Sequence, residues 1–148
     1  MILPDVNVLV YAFKSGVKEH SDYRSWMVDA LQGPHPLGLS ELVLSGVMRV
    51  VTHPRVFDVP SSPEEALGYV EALRSAPTSI VISPGPRHWT IFADLVQASR
   101  PRGGLVSDAY HAALAIEHGC EWVTTDRDFA RFPGLQWRHP LQGDGRPQ

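Results

Sequence analysis

Short apolar runs alternate along this chain with longer segments whose apolar residues recur every three or four positions. No other feature narrows the fold as much. A short apolar run between turn signals reads as a buried strand, and the longer periodic segments read as helices with one apolar face. Strands separated by helices pair in parallel, because a parallel pair needs a crossover connection. The strand candidates are residues 2–4, 36–39, 79–82, 122–124 and 135–137. Between the first two, Tyr23, Trp26, Met27, Ala30 and Leu31 line one helical face that Gly33-Pro34 ends. Ser40 stands as an N-cap before Glu41, and that helix stops before Pro54. Ser62-Pro63-Glu64-Glu65 combines a cap, a first-turn proline and the acid of a capping box. Leu67, Tyr69, Val70 and Leu73 form the apolar side of its helix, and Trp89, Phe92 and Val96 that of a helix over 88–99. Ser107 is the expected cap of a helix over 108–118, which packs Ala109, Ala112, Ala113 and Ile116 inward and stops at Gly119. The pattern predicts an α/β sandwich with a mainly parallel central sheet.

Composition sets the outer limits. At 148 residues, 43% hydrophobic and 20% charged, the chain suits one folded domain, with no repeat or linker to divide it. A net charge of -3 excludes a uniformly basic nucleic-acid surface, although only two of the 13 cations are Lys and the rest are Arg, the better phosphate fork. One cysteine, Cys120, excludes a disulfide framework or a cysteine-rich zinc module. Pro4, Asp5 and Asn7 interrupt the opening apolar run, so no signal peptide is expected, and no run reaches the length of a membrane span. The expectation is a cytoplasmic single domain over residues 1–141 with a flexible tail over 142–148.

Four acids stand where this architecture puts its sites. Asp5 closes the first run, Glu41 opens the helix after the second, Asp108 opens the helix behind Ser107, and Asp126 follows 122–124. In a parallel sheet all four belong to the carboxyl edge, where such folds bind their ligands. Four carboxylates together repel one another and titrate upward, and a divalent cation removes the conflict. An all-oxygen donor set suits Mg²⁺ or Mn²⁺ rather than zinc. Taken singly, an acid at a helix start is commonly a cap or a dipole partner. Asp5 has no capping signature strong enough to explain it, and coincidence of the four is harder to dismiss than any one.

Pro4-Asp5-Val6-Asn7-Val8-Leu9-Val10-Tyr11 resembles the opening motif of PIN-domain ribonucleases, specifically the VapC toxins of bacterial toxin–antitoxin modules. Leu39-Ser40-Glu41, Ser107-Asp108-Ala109-Tyr110-His111-Ala112-Ala113 and Thr124-Thr125-Asp126-Arg127-Asp128-Phe129 follow in the family's order. The likeness runs from residue 1 to about residue 141. Thr52-His53-Pro54-Arg55-Val56-Phe57 and Glu117-His118-Gly119-Cys120 resemble one VapC subgroup. The resemblance implies a PIN-like three-layer α/β/α sandwich and an endoribonuclease that uses Mg²⁺ or Mn²⁺. It implies Asp5, Glu41, Asp108 and Asp126 as the catalytic, metal-holding acids, with Asp128 an alternative for the fourth. Asn7 would orient Asp5, and Thr124 or Thr125 would orient Asp126. Hydroxide drawn from water would attack phosphorus in line, leaving a 5′-phosphate and a 3′-hydroxyl. The resemblance also implies a VapB-type antitoxin that suppresses activity, toxin dimers, and cellular RNA such as tRNA as substrate.

Other residues carry weaker signals. Arg49, Arg55, Arg87, Arg100 and Arg102 are candidates for holding RNA phosphates, with Arg100-Pro101-Arg102 the best placed in sequence. His111, one turn from Asp108, could reach substrate or a water, although a partly exposed helix residue is the plainer reading. Tyr11, Trp89 and Trp122 could stack bases, Trp122 being the one expected in the core. Faces around Trp26 and Val43 are candidates for the antitoxin. Two other functions compete. A haloacid-dehalogenase-type phosphotransferase needs a second Asp two positions after the first, where this chain has Asn7. A noncatalytic PIN-like binding module would not need all four acids.

Overall fold

A computed structural model describes residues 1–143. Five strands form one parallel sheet: β1 (Ile2–Pro4), β2 (Leu37–Ser40), β3 (Ser79–Ile82), β4 (Glu121–Val123) and β5 (Trp137–Arg138). Six helices connect them: α1 (Val6–Phe13), α2 (His20–Gln32), α3 (Glu41–Val51), α4 (Pro63–Arg74), α5 (His88–Ser99) and α6 (Gly104–His118). A 3₁₀ turn, Arg127–Arg131, leads from β4 towards β5. No described helix is long and apolar enough to cross a membrane.

The strand order is β3-β2-β1-β4-β5. From β1 the chain builds outward through β2 to β3, then returns across the sheet and adds β4 on the other side of β1. Crossovers keep one hand, so reversing the direction of travel moves the helices to the opposite face. Helices α1, α2, α3 and α4 pack against one another, whereas α5 packs on α6. The α/β/α sandwich expected from the strand–helix alternation is therefore present. Between β1 and β4 the order reverses, and the carboxyl ends part to leave a crevice. Register fixes which residues flank it: Leu3 lies opposite Trp122 and Pro4 opposite Val123, with Asp5 and Thr124 next along.

Apolar side chains fill both faces of this sheet. Leu3, Leu37, Leu39, Trp122 and Val123 are fully buried strand residues, and Leu9, Val43, Val47 and Leu114 meet them from the helices. Ala109, Ala112, Ala113 and Ala115 lie buried along α6, where small side chains let the helix approach closely. On α4 the capping box forms as the sequence predicts: Ser62 Oγ accepts from Glu65 N–H at 3.1 Å, and Glu65 accepts from Ser62 N–H.

Several expectations need correction. Helix α6 begins at Gly104, behind Gly103 at φ 59°, so Ser107 caps nothing and Asp108 is the fifth helical residue. Gly103 makes the turn that admits an earlier start, and Leu105 and Val106 are free to extend the helix. Ser40 precedes α3 but makes no side-chain capping bond. Trp89 is 69% exposed, because α5 turns His88 and Leu95 inward instead, and Leu67 of α4 is 49% exposed. Val43 is buried in the core and offers no surface to a partner. The expected strand ends slip by up to two residues, leaving Thr124 just beyond β4. Most of the expected tail, residues 144–148, lies outside the described residues. Replacing Ser62 with Ala removes the α4 cap. It should cost ~1 kcal/mol and lower the melting temperature by about 2–4 °C in a thermal melt.

Candidate active site

The crevice beside β1 is organised by one carboxylate. Asp5 continues the β1–β4 ladder through its N–H, which donates to Val123 O at 2.8 Å, and its side chain turns up into the site. Oδ1 accepts from Val6 N–H at 2.7 Å, so Asp5 is also the N-cap of α1, contrary to the reading that it lacks a capping role. Oδ2 accepts from the Thr124 hydroxyl at 2.6 Å and from Asn7 Nδ2 at 3.3 Å. Thr124 Oγ1 in turn accepts from Asp126 N–H at 3.0 Å, and Asn7 Oδ1 from Thr125 N–H at 3.4 Å. Of the two threonines, Thr124 is therefore the one that ties the Asp126 segment to Asp5.

Asp126 caps the 3₁₀ turn, accepting from Asp128 N–H through Oδ1 at 2.8 Å. Asp108 comes from the opposite side, on α6. A cavity of about 500 Å³ is lined by Asp5, Asp108 and Asp126, together with Asn7, Arg49 and His111. Three of the four expected acids are thus brought together, from segments spread over most of the chain. Glu41 is not. Its side chain is 66% exposed, lies 3.9 Å from Arg74, and lines a neighbouring hollow. Asp128 points to Arg131 at 3.6 Å. Arg100 and Arg102 do not line the acidic cavity, whereas Arg49 does.

Burial and mutual repulsion leave their mark on the acids. Asp5 is held above the usual carboxylate range by burial, with a further push from Asp126, although its bonds to Thr124 and Val6 pull the other way. Asp108 is pushed up to about 6 by burial and by the charges of Asp5, Asp126 and Asp128, against a smaller pull from Arg131. Burial, with His88 nearby, lowers His111 to about 4, so its ring is neutral near pH 7. The ring stacks on Trp122 at 5.4 Å and 18°, which makes it more enclosed than a plain surface histidine.

Among the described residues, no three metal-ligating side chains already stand close enough to share an ion. The donor chemistry nevertheless fits a hard divalent cation: carboxylates converge on one cavity, and no ion pair among the described residues neutralises Asp5, Asp108 or Asp126. An approaching cation offsets the burial and the repulsion that together raise Asp5 and Asp108.

A family model for the PIN domain matches residues 2–135. The chain is also 46% identical over 143 residues to a VapC ribonuclease, Mb2897, of Mycobacterium bovis, covering 97% of each. The chain belongs to the VapC ribonucleases of the PIN-domain family. Ribonuclease VapC25 of Mycobacterium tuberculosis is 36% identical, across 95% of this chain and 99% of that one. Solved structures share the fold. VapBC2 from Rickettsia felis bound to promoter DNA has a TM-score of 0.69 at 19% identity, covering 94% of this chain and 98% of that one. VapC20 of Mycobacterium tuberculosis, described as a sarcin-ricin loop cleaving toxin, gives 0.65 at 16% identity, covering 91% and 98%.

Two features of this VapC chain escaped the sequence. His88 is 3% exposed and its Nε2 lies 3.0 Å from Tyr110 O, bracing α5 on α6 behind the site. No local pattern marks a histidine whose partner lies 22 residues away. Glu117 folds back from α6 to accept from Gly85 N–H at 2.8 Å and Arg87 N–H at 3.0 Å. Its place in the subgroup-like stretch with His118 was the one available signal.

The raised Asp108 gives a signed pH dependence. Below about pH 4 the carboxyl is protonated in both folded and unfolded chains, and the folded state gains most from it. That gain is lost as pH rises through about 6. Asp108→Asn copies the protonated form at every pH. In EDTA at pH 7.5 it should melt a few degrees above the unsubstituted protein, on the order of 1 kcal/mol after solvent screening, and the two should converge near pH 4.

Proposed function

We propose that this VapC chain is the toxin of a VapBC-type module and a Mg²⁺- or Mn²⁺-dependent endoribonuclease. It cuts specific cellular RNA, tRNA being a favoured class, and a cognate VapB-type antitoxin suppresses it. The observation that carries this reading is the convergence of Asp5, Asp108 and Asp126 on one cavity, with none of them in an ion pair among the described residues. Asp5, Asp108 and Asp126 would hold the ion, and Glu41 would complete the set by leaving Arg74. When bound, such an ion makes hydroxide available near neutral pH and stabilises charge on a phosphodiester in hydrolysis.

The chain's own groups do the rest. Asp5 cannot swing, because Val6 N–H, Thr124 and Asn7 fix both oxygens. Asp108 carries fewer constraints and delivers its charge from α6. Arg49, exposed on the cavity wall without an ion pair among the described residues, offers a guanidinium fork to an RNA phosphate. Asn7 supplies an amide where a phosphotransferase would need a general acid, which disfavours that rival. An apolar groove of about 500 Å³ between α2 and α4, with Phe13, Met27, Leu31, Tyr69 and Leu73 in its walls, is a better antitoxin surface than buried Val43. Pairing of two toxins would complete the module.

Cleavage of total cellular RNA by purified protein tests the reading. Discrete fragments should form with Mg²⁺ or Mn²⁺ and vanish in EDTA. Asp5→Asn and Asp108→Asn should each lower the rate at least 100-fold. Cutting that survives EDTA, or both substitutions, would refute it.

A further inference from the structure

A second hollow, of about 320 Å³, opens on the same edge of the sheet over the ends of β2 and β3. Ser40, Glu41, Ile82, Ser83 and Tyr110 line it, and His111 belongs to its wall and to the wall of the acidic cavity. The two spaces are therefore adjacent, with one histidine between them.

Polar groups in this hollow lack partners. Ser40 is 4% exposed and occupies the N-cap position of α3, yet its hydroxyl makes no capping bond. His111 Nδ1 is buried with no hydrogen-bond partner. Buried polar groups are normally satisfied, so the unpartnered His111 nitrogen, beside a serine hydroxyl that the helix does not use, points to a ligand edge at this hollow. Leu42, Ile82, Pro84 and Leu114 make the walls between largely apolar, and Glu41 is the one charged residue among them. Tyr110 is held in place edge-on to His88 at 4.3 Å and to Phe92 at 5.6 Å.

The outer wall is fixed from the same helix that carries Asp108. Glu117, with its side chain 6% exposed, clamps Gly85 and Arg87 through their N–H groups, and His118 Nε2 lies 2.8 Å from Ser83 O. A Cβ on Gly85 would meet Glu117 Oε1 at 2.6 Å, so the loop and the clamp fit without slack. Helix α6 thus positions a catalytic acid, both aromatic walls and the loop opposite them.

A flat ligand with apolar faces and a hydrogen-bonding edge, attached to a phosphate in the neighbouring cavity, is a nucleotide in an RNA strand. We propose that this hollow is the base-specificity subsite: it takes one unstacked base beside the scissile phosphate, packs it against Tyr110 and reads its edge with Ser40 and His111. The proposal rests on the ribonuclease reading and refines it. A site with polar groups that only the right edge satisfies rejects other bases strongly.

The test has two arms. Amide spectra of the isotope-labelled full chain are recorded with each of the four ribonucleoside 5′-monophosphates and with ribose 5-phosphate. At least one nucleotide should shift Ser83, Tyr110 and His111, and the baseless sugar phosphate should not. In the second arm, Ser83→Trp fills the hollow from an exposed position, and Ser40→Ala removes one reading group. Both should still cut RNA with metal, while the base preference mapped at the cut ends falls at least 10-fold for Ser83→Trp and less for Ser40→Ala. Equal shifts with ribose 5-phosphate, or unchanged cut sites in both variants, would overturn the proposal. Nucleotide shifts in this hollow without metal-dependent cutting would uphold the base site while overturning the ribonuclease reading.

Discussion

The hydrogen bond from the Thr124 hydroxyl to Asp5 Oδ2, 2.6 Å long, joins residues 119 positions apart at the ends of β1 and β4. These strands flank the point where the sheet order reverses, and their ends part there. Without that bond, Asp5 would keep only its local contacts to Val6 and Asn7. The same hydroxyl accepts from Asp126 N–H, so one side chain sets the spacing of two acids. Its oxygen is buried with Asp5, where a charge-assisted bond is stronger than one in water. The parallel sheet, the α1 cap and the 3₁₀ turn all meet at this contact.

Opposed to that order is the repulsion it creates. Burial first, and then the shared charge in one cavity, raise Asp5 and Asp108 above ordinary carboxylates, and Arg131 offsets only part of the effect at Asp108. A fold selected for stability alone would pair these acids with cationic side chains or remove one of them. This one instead fixes Asp5 through both oxygens and leaves Glu41 turned to Arg74. Stabilisation that the fold gives up in this way would return as binding energy for a divalent ion held between the carboxylates. Neutral His111 and exposed Arg49 border the same space without supplying that charge balance.

Much of this was legible in the residues. Strand–helix alternation gave the parallel sheet, and Ser62 with Glu65 and Gly119 marked helix ends that the structure retains. Asp5, Asp108 and Asp126 could be placed at one edge because a parallel sheet carries its strand ends together. What failed was local capping. Ser40 and Ser107 have the chemistry of caps but do not cap, whereas Asp5 does, since capping depends on where the preceding backbone leads and not on residue type. The turn of Glu41 towards Arg74 and the exposure of Trp89 went unforeseen for a related reason. Side-chain direction on a helix follows its rotation in the packed fold, and a partner such as Arg74 lies 33 positions away, beyond the reach of periodicity. The clamp of Glu117 on the Gly85 turn is long-range in the same sense.

The central claim is that the converging acids form a divalent-cation site. Mn²⁺ titration followed by water-proton relaxation reads it without any RNA. The account predicts saturable binding to the unsubstituted protein that is lost in Asp5→Asn and Asp108→Asn and weakened in Glu41→Gln. Binding that persists unchanged in both Asp variants would contradict it.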